Sequence, residues 1–256
     1  MAAALHRAFD WRGPDRVVLV HGFTQTLVSW NPLADALADT FQVVRVDLPG
    51  HGGSGGVELS FAEAAAAIGD AGGTATYVGY SMGGRLCLRL ALDRPDLVQA
   101  LVLVGASPGL ADPDERAERR AADEELAGEI ERIGTTAFLE RWLSQPMFTS
   151  FTPTPEDRAA RLANPSGGLA NALRRLGVGV QEPLWSRLGE LTMPLLAVAG
   201  QDDLKYTHIA EEMADAIGIN AQVVALAGAG HTAHLQRPAS FARLLSAFLV
   251  LHPPTP

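Results

Sequence analysis

Short apolar runs alternate along the chain with longer amphipathic stretches. Continuous apolar runs of about five residues, rich in valine and leucine, indicate strands buried on both faces of a sheet. The stretches between them have apolar positions at helical spacing. The pattern predicts strands at 16–20, 41–46, 76–79, 100–104, 195–199 and 221–226, and helices at 31–39, 60–69, 82–93, 207–217 and 238–251. This alternation predicts an α/β fold, with a mostly parallel central sheet and helices on both faces.

The alternation stops for roughly 80 residues between the fourth and fifth predicted strands, a length read from the helix and strand signals. That segment has only polar amphipathic helices, separated by proline and glycine clusters. We therefore predict a core formed by residues 1–110 and 191–256, and a helical lid formed by residues 111–190. The lid follows the strand ending near Val104, so it would cover the strands' carboxyl ends, where open α/β sheets bind ligands.

Composition narrows the class of protein. A chain of 256 residues with 47% hydrophobic residues can stabilise its own core. Its net charge of −9 argues against nucleic-acid binding, which needs a basic surface. Cys87 is the one cysteine, which excludes an internal disulfide and favours a reducing compartment. No apolar run approaches the roughly 20 residues that cross a bilayer. We expect a cytoplasmic protein without nucleic-acid or membrane partners, and the sequence makes no prediction of oligomeric state.

Residues 79–83 read Gly-Tyr-Ser-Met-Gly and lie between a predicted strand and a predicted helix. In this context the Gly-x-Ser-x-Gly pattern is typical of a nucleophile elbow. Such a turn is tight enough to need glycine on either side of the serine and to strain the serine itself. The helix that follows offers free N–H groups and the positive end of its dipole. Ser81 is therefore predicted to be a reactive serine.

A carboxylate and a histidine lie on the loops that follow the last two predicted strands. Asp203 and His231 occur in the chain order Ser, Asp, His that is expected for such an elbow. His231 would accept a proton from Ser81, while the aspartate holds the histidine tautomer. Asp202 is the alternative carboxylate, and we favour Asp203.

The loop after the first predicted strand begins with His-Gly-Phe at residues 21–23. In sheets of this kind that loop supplies one N–H group of an oxyanion hole, and the residue after the nucleophile supplies the other. The predicted donors are the backbone N–H groups of Phe23 and Met82. We interpret His21 as a structural residue that organises the loop.

Several segments together resemble the α/β-hydrolase superfamily and, within it, the 2-succinyl-6-hydroxy-2,4-cyclohexadiene-1-carboxylate synthases of menaquinone biosynthesis. The similar segments in the predicted core are residues 21–23, 48–54, 79–85 and 107–110, the last of which leads into the lid. Those in the predicted lid are residues 115–119, 138–142, 145–148 and 167–169. The core motifs are shared across the superfamily, whereas Arg85 and the lid segments narrow the resemblance to these synthases.

The resemblance implies a lyase. Its substrate would be a small polycarboxylate cyclohexene, from which the enzyme eliminates pyruvate after a ring proton is abstracted. Ser81, activated by His231 and Asp203, would act as the base, and the N–H groups of Phe23 and Met82 would stabilise enolate-like charge. No metal or organic cofactor is expected. The resemblance assigns substrate binding to Tyr80, Arg85, Arg119, Trp142, Phe148 and Arg161.

Other interpretations stay open from the residues alone. Arg119 and Arg161 have acidic neighbours at helical spacing and could be solvated ion-pair partners. Trp142 and Phe148 could belong to the core of the lid. Arg85 lies near a helix N-terminus, where a cation opposes the dipole, and this favours a function for it. The alternative activities are a serine esterase or carbon–carbon bond hydrolase of the same fold, and a binding module without catalysis.

Overall fold

The structure is a computed structural model that describes residues 4–11 and 13–253. Seven strands form one sheet in the order β1-β3-β2-β4-β5-β6-β7. They are β1 (Arg7–Trp11), β2 (Arg16–Val20), β3 (Gln42–Val46), β4 (Ala75–Tyr80), β5 (Val98–Val104), β6 (Leu195–Gly200) and β7 (Ala221–Leu226). β1 pairs antiparallel with β3, and every other pairing is parallel. The predicted mostly parallel sheet is confirmed.

The hydrophobic pattern did not predict β1. It contains the charged residues Arg7 and Asp10 and pairs with a neighbouring strand on one side only, as is typical of an edge strand. A search for continuous apolar runs therefore passes over it. β1 lies at the edge of the sheet farthest from β7, so the order of the six predicted strands is unaffected.

Within the described residues the helices follow the predicted alternation. They are α1 (Asn31–Leu37), α2 (Phe61–Gly72), α3 (Met82–Asp93), α4 (Pro113–Leu143), α5 (Pro155–Leu162), α6 (Ser166–Leu176), α7 (Leu204–Ile217), α8 (Ala233–Gln236) and α9 (Pro238–Leu251). α2 begins at a capping box, in which the Ser60 side chain accepts the Glu63 N–H and the Glu63 carboxylate accepts the Ser60 N–H. α7 begins earlier than predicted because the Asp203 side chain caps it. None of the helices in the described part of the chain combines the length and apolar character required to cross a membrane.

Side chains of the central strands alternate between two apolar cores, one on each face of the sheet. Val18 of β2 packs in the core that includes α2 and α3, whereas Val17 packs in the core that includes α1 and α9. Cys87 of α3 is fully buried in the first core, and burial raises the pKa of its thiol. Since both faces are covered, the strands have continuous apolar sequences.

The helices α4, α5 and α6 lie between β5 and β6, in the segment predicted to form the lid. α4 packs against α6. α4 is interrupted at Gly134, whose φ of +78° and ψ of 165° leave the helical region. Glycine adopts a positive φ without the steric cost that a Cβ brings. The interruption bends α4, so that its C-terminal part, which contains Phe138 and Trp142, contacts Phe23 of the core.

Candidate active site

Ser81 lies in a strained turn between β4 and α3. Its φ of +49° and ψ of −111° are unusual for a residue with a side chain and cost about 1–3 kcal/mol. A Cβ at Gly79 would lie 2.6 Å from the Gly84 Cα, and one at Gly83 would lie 2.4 Å from the His21 carbonyl oxygen. Both positions therefore require glycine. The structure has the strand, strained serine and helix that the Gly-x-Ser-x-Gly pattern predicts.

A cavity of about 440 Å³ opens above Ser81. Nine of the eleven residues that the sequence singled out for the site line it: Phe23, Tyr80, Ser81, Met82, Arg85, Arg119, Trp142, Phe148 and His231. The other two are Asp203, which lies behind His231, and Arg161. Among the described residues, no group of three or more His, Cys, Asp or Glu side chains could hold a metal ion.

His231 is oriented by Asp203. The His231 Nδ1 lies 2.7 Å from the Asp203 Oδ2, and the histidine is almost fully buried. A carboxylate at this distance keeps the proton on Nδ1, which leaves Nε2 as the acceptor. Asp202, the alternative carboxylate, is exposed and makes no contact of this kind. The geometry therefore supports Asp203 as the third member of the predicted triad.

Two backbone N–H groups beside Ser81 are free to stabilise negative charge. Within residues 4–11 and 13–253, the N–H groups of Phe23 and Met82 donate to no protein acceptor. The loop that contains Phe23 lies against the elbow, because a Cβ at Gly22 would be only 3.4 Å from the Ser81 Cβ. Unpaired N–H groups beside a nucleophile are typical of an oxyanion hole, so their geometry supports the predicted donors.

Two buried histidines, both in their neutral forms, fix the loops beneath this site. The His21 Nδ1 lies 2.8 Å from the Gly22 carbonyl oxygen, and its Nε2 accepts the Leu48 N–H. The His51 Nδ1 lies 2.9 Å from the Pro49 carbonyl oxygen. Each ring thus has a donor nitrogen and an acceptor nitrogen, as a neutral imidazole does. His21 has the structural role that the sequence predicted, and His51 has a similar one.

These contacts predict that the fold loses stability in mild acid. Burial lowers the pKa of His51 to about 3, and it also lowers the pKa values of His21 and His234. Between these lowered values and about 6.5, the unfolded chain binds protons that the folded chain does not, so stability falls as pH falls. We expect the free energy of unfolding to fall from pH 7.5 to pH 5.5. About 1.4 kcal/mol of that loss comes from His51, whose pKa of about 3 lies far below this range, and His21 and His234 add losses of the same sign. Urea unfolding at the two pH values measures this.

The matched variant for this prediction is His51→Gln, which cannot titrate. Its unfolding free energy should fall by about 1.4 kcal/mol less than that of the wild type over this pH range. A wild-type stability that does not change between the two pH values would contradict the prediction.

Arg85 is a buried cation that has only neutral hydrogen-bond partners. Its Nη1 donates to the Gln181 Oε1 and its Nη2 to the Leu176 carbonyl oxygen, both at 2.7 Å. The guanidinium also lies over the Phe61 ring. Burial lowers the pKa of Arg85 to about 10, so it stays charged at neutral pH. Within the described residues no carboxylate forms an ion pair with it, and it lines the cavity. Such a charge favours an anionic ligand.

Arg119 also lines the cavity, from α4. Its Nε donates to the buried Asp123 Oδ1 at 2.8 Å, and Asp123 lines the cavity too. An i,i+4 ion pair is the alternative interpretation from the sequence, but its partner is the buried Asp123 instead of Glu115 or Glu118. The side chain therefore has both features: it pairs within its helix and it faces the cavity.

Arg161 does not line the cavity. It is buried in α5, where its Nε donates to the Asp157 Oδ2 at 2.7 Å and its Nη1 donates to the Thr24 Oγ1 at 3.0 Å. Its Nη2 has no hydrogen-bond partner in the described part of the chain. The substrate contact implied by the resemblance is not formed here, and that role of Arg161 stays a prediction.

Aromatic side chains form one wall of the cavity. Trp142 lies edge-on to Phe23, with ring centroids 5.2 Å apart, and contacts Phe148. Phe148 and Tyr80 each contact the His231 ring. Both interpretations of Trp142 and Phe148 are met, because these rings pack within the lid and also face the cavity.

The sequence analysis missed Tyr206 and Gln181. Tyr206 lines the cavity, and its ring centroid lies 4.5 Å from that of His231. Its position three residues after Asp203, in the first turn of α7, is a signal that could have identified it. Gln181 accepts a hydrogen bond from Arg85, which lies 96 residues earlier in the sequence. No local sequence pattern predicts a contact between residues so far apart.

Comparison with known proteins agrees with this geometry. Residues 17–244 match the sequence pattern of the alpha/beta hydrolase family. The chain belongs to the alpha/beta hydrolase family.

Individual relatives show which members of the family this chain is similar to. A protein of Bacillus subtilis (strain 168), named provisionally as a 2-succinyl-6-hydroxy-2,4-cyclohexadiene-1-carboxylate synthase, is 35% identical over 92% of this chain and 90% of its own length. The synthase of that name from Escherichia coli O1:K1 / APEC is 30% identical over 91% of this chain and 93% of its own. The resemblance to these synthases that the sequence indicated is confirmed.

Solved structures show the same similarity. MenH from S. aureus superposes with a TM-score of 0.88 at 29% sequence identity, covering 96% of this chain and 98% of that chain. A thermophilic esterase from Thermogutta terrifontis superposes with a TM-score of 0.80 at 24% identity, covering 97% of this chain and 94% of its own. At that identity the esterase shows the shared fold alone.

Proposed function

We propose that this protein is a lyase that eliminates pyruvate from a succinyl-enolpyruvyl-hydroxycyclohexene carboxylate, giving 2-succinyl-6-hydroxy-2,4-cyclohexadiene-1-carboxylate for menaquinone biosynthesis. The single observation that carries the proposal is Arg85, a buried cation with neutral partners that faces the cavity of Ser81. A simple esterase has no need of such a charge. The names of relatives at 30–35% identity support the same reaction.

The catalytic steps use the chain's own groups. His231 Nε2 takes the Ser81 hydroxyl proton, and the Ser81 oxygen takes a proton from the substrate ring. The electron pair of the broken C–H bond forms a ring double bond, and the C–O bond to the enolpyruvyl group breaks. The imidazolium of His231 gives up its proton, directly or through water, and the departing enolate takes one up and becomes pyruvate, which returns the enzyme to its starting state. Asp203 stabilises the imidazolium while it exists.

Negative charge develops on the substrate as its ring proton leaves. The free N–H groups of Phe23 and Met82 would stabilise that charge, because they lie beside Ser81 and have no other acceptor within the described residues. No redox change is involved, so the proposed reaction needs no redox cofactor.

Substrate binding is assigned to the residues that line the cavity. Arg85 and Arg119 would bind carboxylates, and Tyr80, Trp142 and Phe148 would shape the pocket around the ring. Although the chain has a net charge of −9, an anion responds to the local field of the cleft. The predicted cytoplasmic location is part of the proposal and has its basis in the lone cysteine.

Pyruvate release from the enolpyruvyl substrate by the purified protein tests this proposal. We expect steady release by the wild type and by Ser144→Ala, which removes an exposed lid serine. Ser81→Ala should show none above the uncatalysed background. Release by Ser81→Ala at the wild-type rate, or no release by the wild type, would contradict the proposal.

Serine esterase is the second candidate, and the strained elbow beside two free N–H groups favours it as well. An esterase would form an acyl-enzyme on Ser81 and turn over simple esters rapidly. Rapid ester turnover without pyruvate release would favour this alternative.

A further inference from the structure

Thr24, the residue after Phe23, has an unfavourable backbone conformation and is fully buried. Its φ is +65°, in the left-handed region that favours glycine. A β-branched residue stays there only where its surroundings impose the conformation. Ser81 is the only other non-glycine residue with a positive φ in the described ranges, and it belongs to the proposed catalytic triad.

Each polar group of Thr24 is held by a different buried side chain. Its N–H donates to the His51 Nε2 at 3.2 Å. Its hydroxyl oxygen accepts the Arg161 Nη1 at 3.0 Å. Its carbonyl oxygen accepts the Asn164 Nδ2 at 2.9 Å. The N–H group, the hydroxyl oxygen and the carbonyl oxygen of Thr24 thus each have one side-chain partner.

The three holding side chains are themselves fixed. Arg161 is paired with Asp157, whose other oxygen accepts the Ser29 hydroxyl. The Asn164 Oδ1 accepts the Gly52 N–H at 2.7 Å. Arg161 and Asn164 belong to the lid, whereas His51 belongs to the turn after β3. The lid is thereby joined to the loop of Phe23 by two hydrogen bonds to one residue.

We infer that Arg161, Asn164 and His51 are positioning residues, which hold the Phe23 N–H toward Ser81 by fixing Thr24. The inference rests on the proposed role of the Phe23 N–H in stabilising substrate charge. The Thr24 N–H lies in the planar peptide that joins Phe23 to Thr24, so holding it restricts the backbone rotation of Phe23 and with it the direction of the Phe23 N–H. The inference gives Arg161 a role that does not require it to face the cavity.

Arg161→Met and Thr24→Val test this, measured in two assays. One is pyruvate release from the enolpyruvyl polycarboxylate. The other is covalent labelling of Ser81 by an uncharged p-nitrophenyl phosphonate ester, followed by mass spectrometry. Removing an oxyanion donor costs about 10²–10³-fold, so misplacing one should cost roughly ten- to a hundredfold. We expect that loss in kcat for pyruvate release and in the labelling rate, with little change in KM.

Matched variants separate positioning from folding. Thr24→Ser keeps the hydroxyl and should recover most of both rates. Arg158→Met removes an exposed arginine of the same helix and should behave as the wild type. Asn164→Asp keeps the acceptor for Gly52 but loses the donor to Thr24, so it should repeat the loss even if Arg161→Met fails to fold.

The two assays also distinguish failure of the positioning role from failure of the proposed function. If Arg161→Met raises KM for the polycarboxylate and leaves phosphonate labelling unchanged, Arg161 binds a carboxylate and the inference is overturned. Unchanged labelling in Thr24→Val and Asn164→Asp, or a wild type that the phosphonate does not label, would also overturn it. If the wild type releases no pyruvate but these variants are labelled slowly, the positioning role stands and the proposed function fails.

Discussion

Asp203→Asn lowers kcat for pyruvate release by about 10³- to 10⁴-fold while leaving the fold intact, if the Asp203–His231 contact has the role proposed for it. The Asp203 carboxylate accepts the His231 Nδ1 proton at 2.7 Å. An asparagine amide can donate to Nδ1 instead, which places the proton on Nε2 and removes the base. Pyruvate release followed at saturating substrate gives kcat, and thermal unfolding checks the fold.

Asp202→Asn is the matched control, since it removes the neighbouring carboxylate, which is exposed. It should keep the wild-type kcat. Equal losses in the two variants would show that the effect comes from the charge of the loop, and a loss in Asp202→Asn alone would reverse the assignment.

Arg85→Met is expected to lower kcat/KM for the polycarboxylate by roughly 10- to 150-fold for each hydrogen bond that the guanidinium makes to a carboxylate. Charge-assisted hydrogen bonds to a carboxylate are worth about 1.5–3 kcal/mol each, and the buried guanidinium offers more than one. Phosphonate labelling of Ser81, which involves no substrate carboxylate, should change little. Initial rates over a range of substrate concentrations measure the first quantity.

Gln181→Glu tests whether the positive charge of Arg85, and not only the space that its side chain fills, is needed for substrate binding. The Gln181 Oε1 already accepts the Arg85 Nη1 at 2.7 Å, so a glutamate would form an ion pair in the same place. That carboxylate would compete with the substrate, and KM should rise although Arg85 is still present. A KM equal to that of the wild type would mean that Arg85 does not meet a substrate carboxylate.

Most of the fold could be predicted from the sequence because the periodicity of apolar residues is local. Strands covered on both faces have continuous apolar runs, and six of the seven strands were identified in this way. β1 was missed because an edge strand with one exposed side lacks that run. Helix starts were predicted well where a capping side chain marks them, as Ser60 does.

The candidate site was predictable where its residues follow strand ends. Ser81 comes directly after β4, and Asp203 and His231 lie on the loops that follow β6 and β7. The carboxyl ends of these parallel strands lie at one edge of the sheet. Contacts between the lid and the core were not predictable, because they join residues 90 or more positions apart. Arg161 shows the difference: its presence was noted, but its partner Thr24 could be found only in three dimensions.

The partners of Arg85 have a consequence for protein engineering. Leu176 and Gln181 both belong to the lid, so both hydrogen bonds of the core's buried cation come from outside the core. Exchanging the lid between members of the superfamily is one way to seek a new substrate specificity. A transplanted lid that lacks the Gln181 Oε1 and the Leu176 carbonyl oxygen would leave the buried guanidinium of Arg85 without hydrogen-bond acceptors. Burying a charge in this way costs several kcal/mol. Arg85 and the lid therefore form one unit of design, and a chimaera should replace them together.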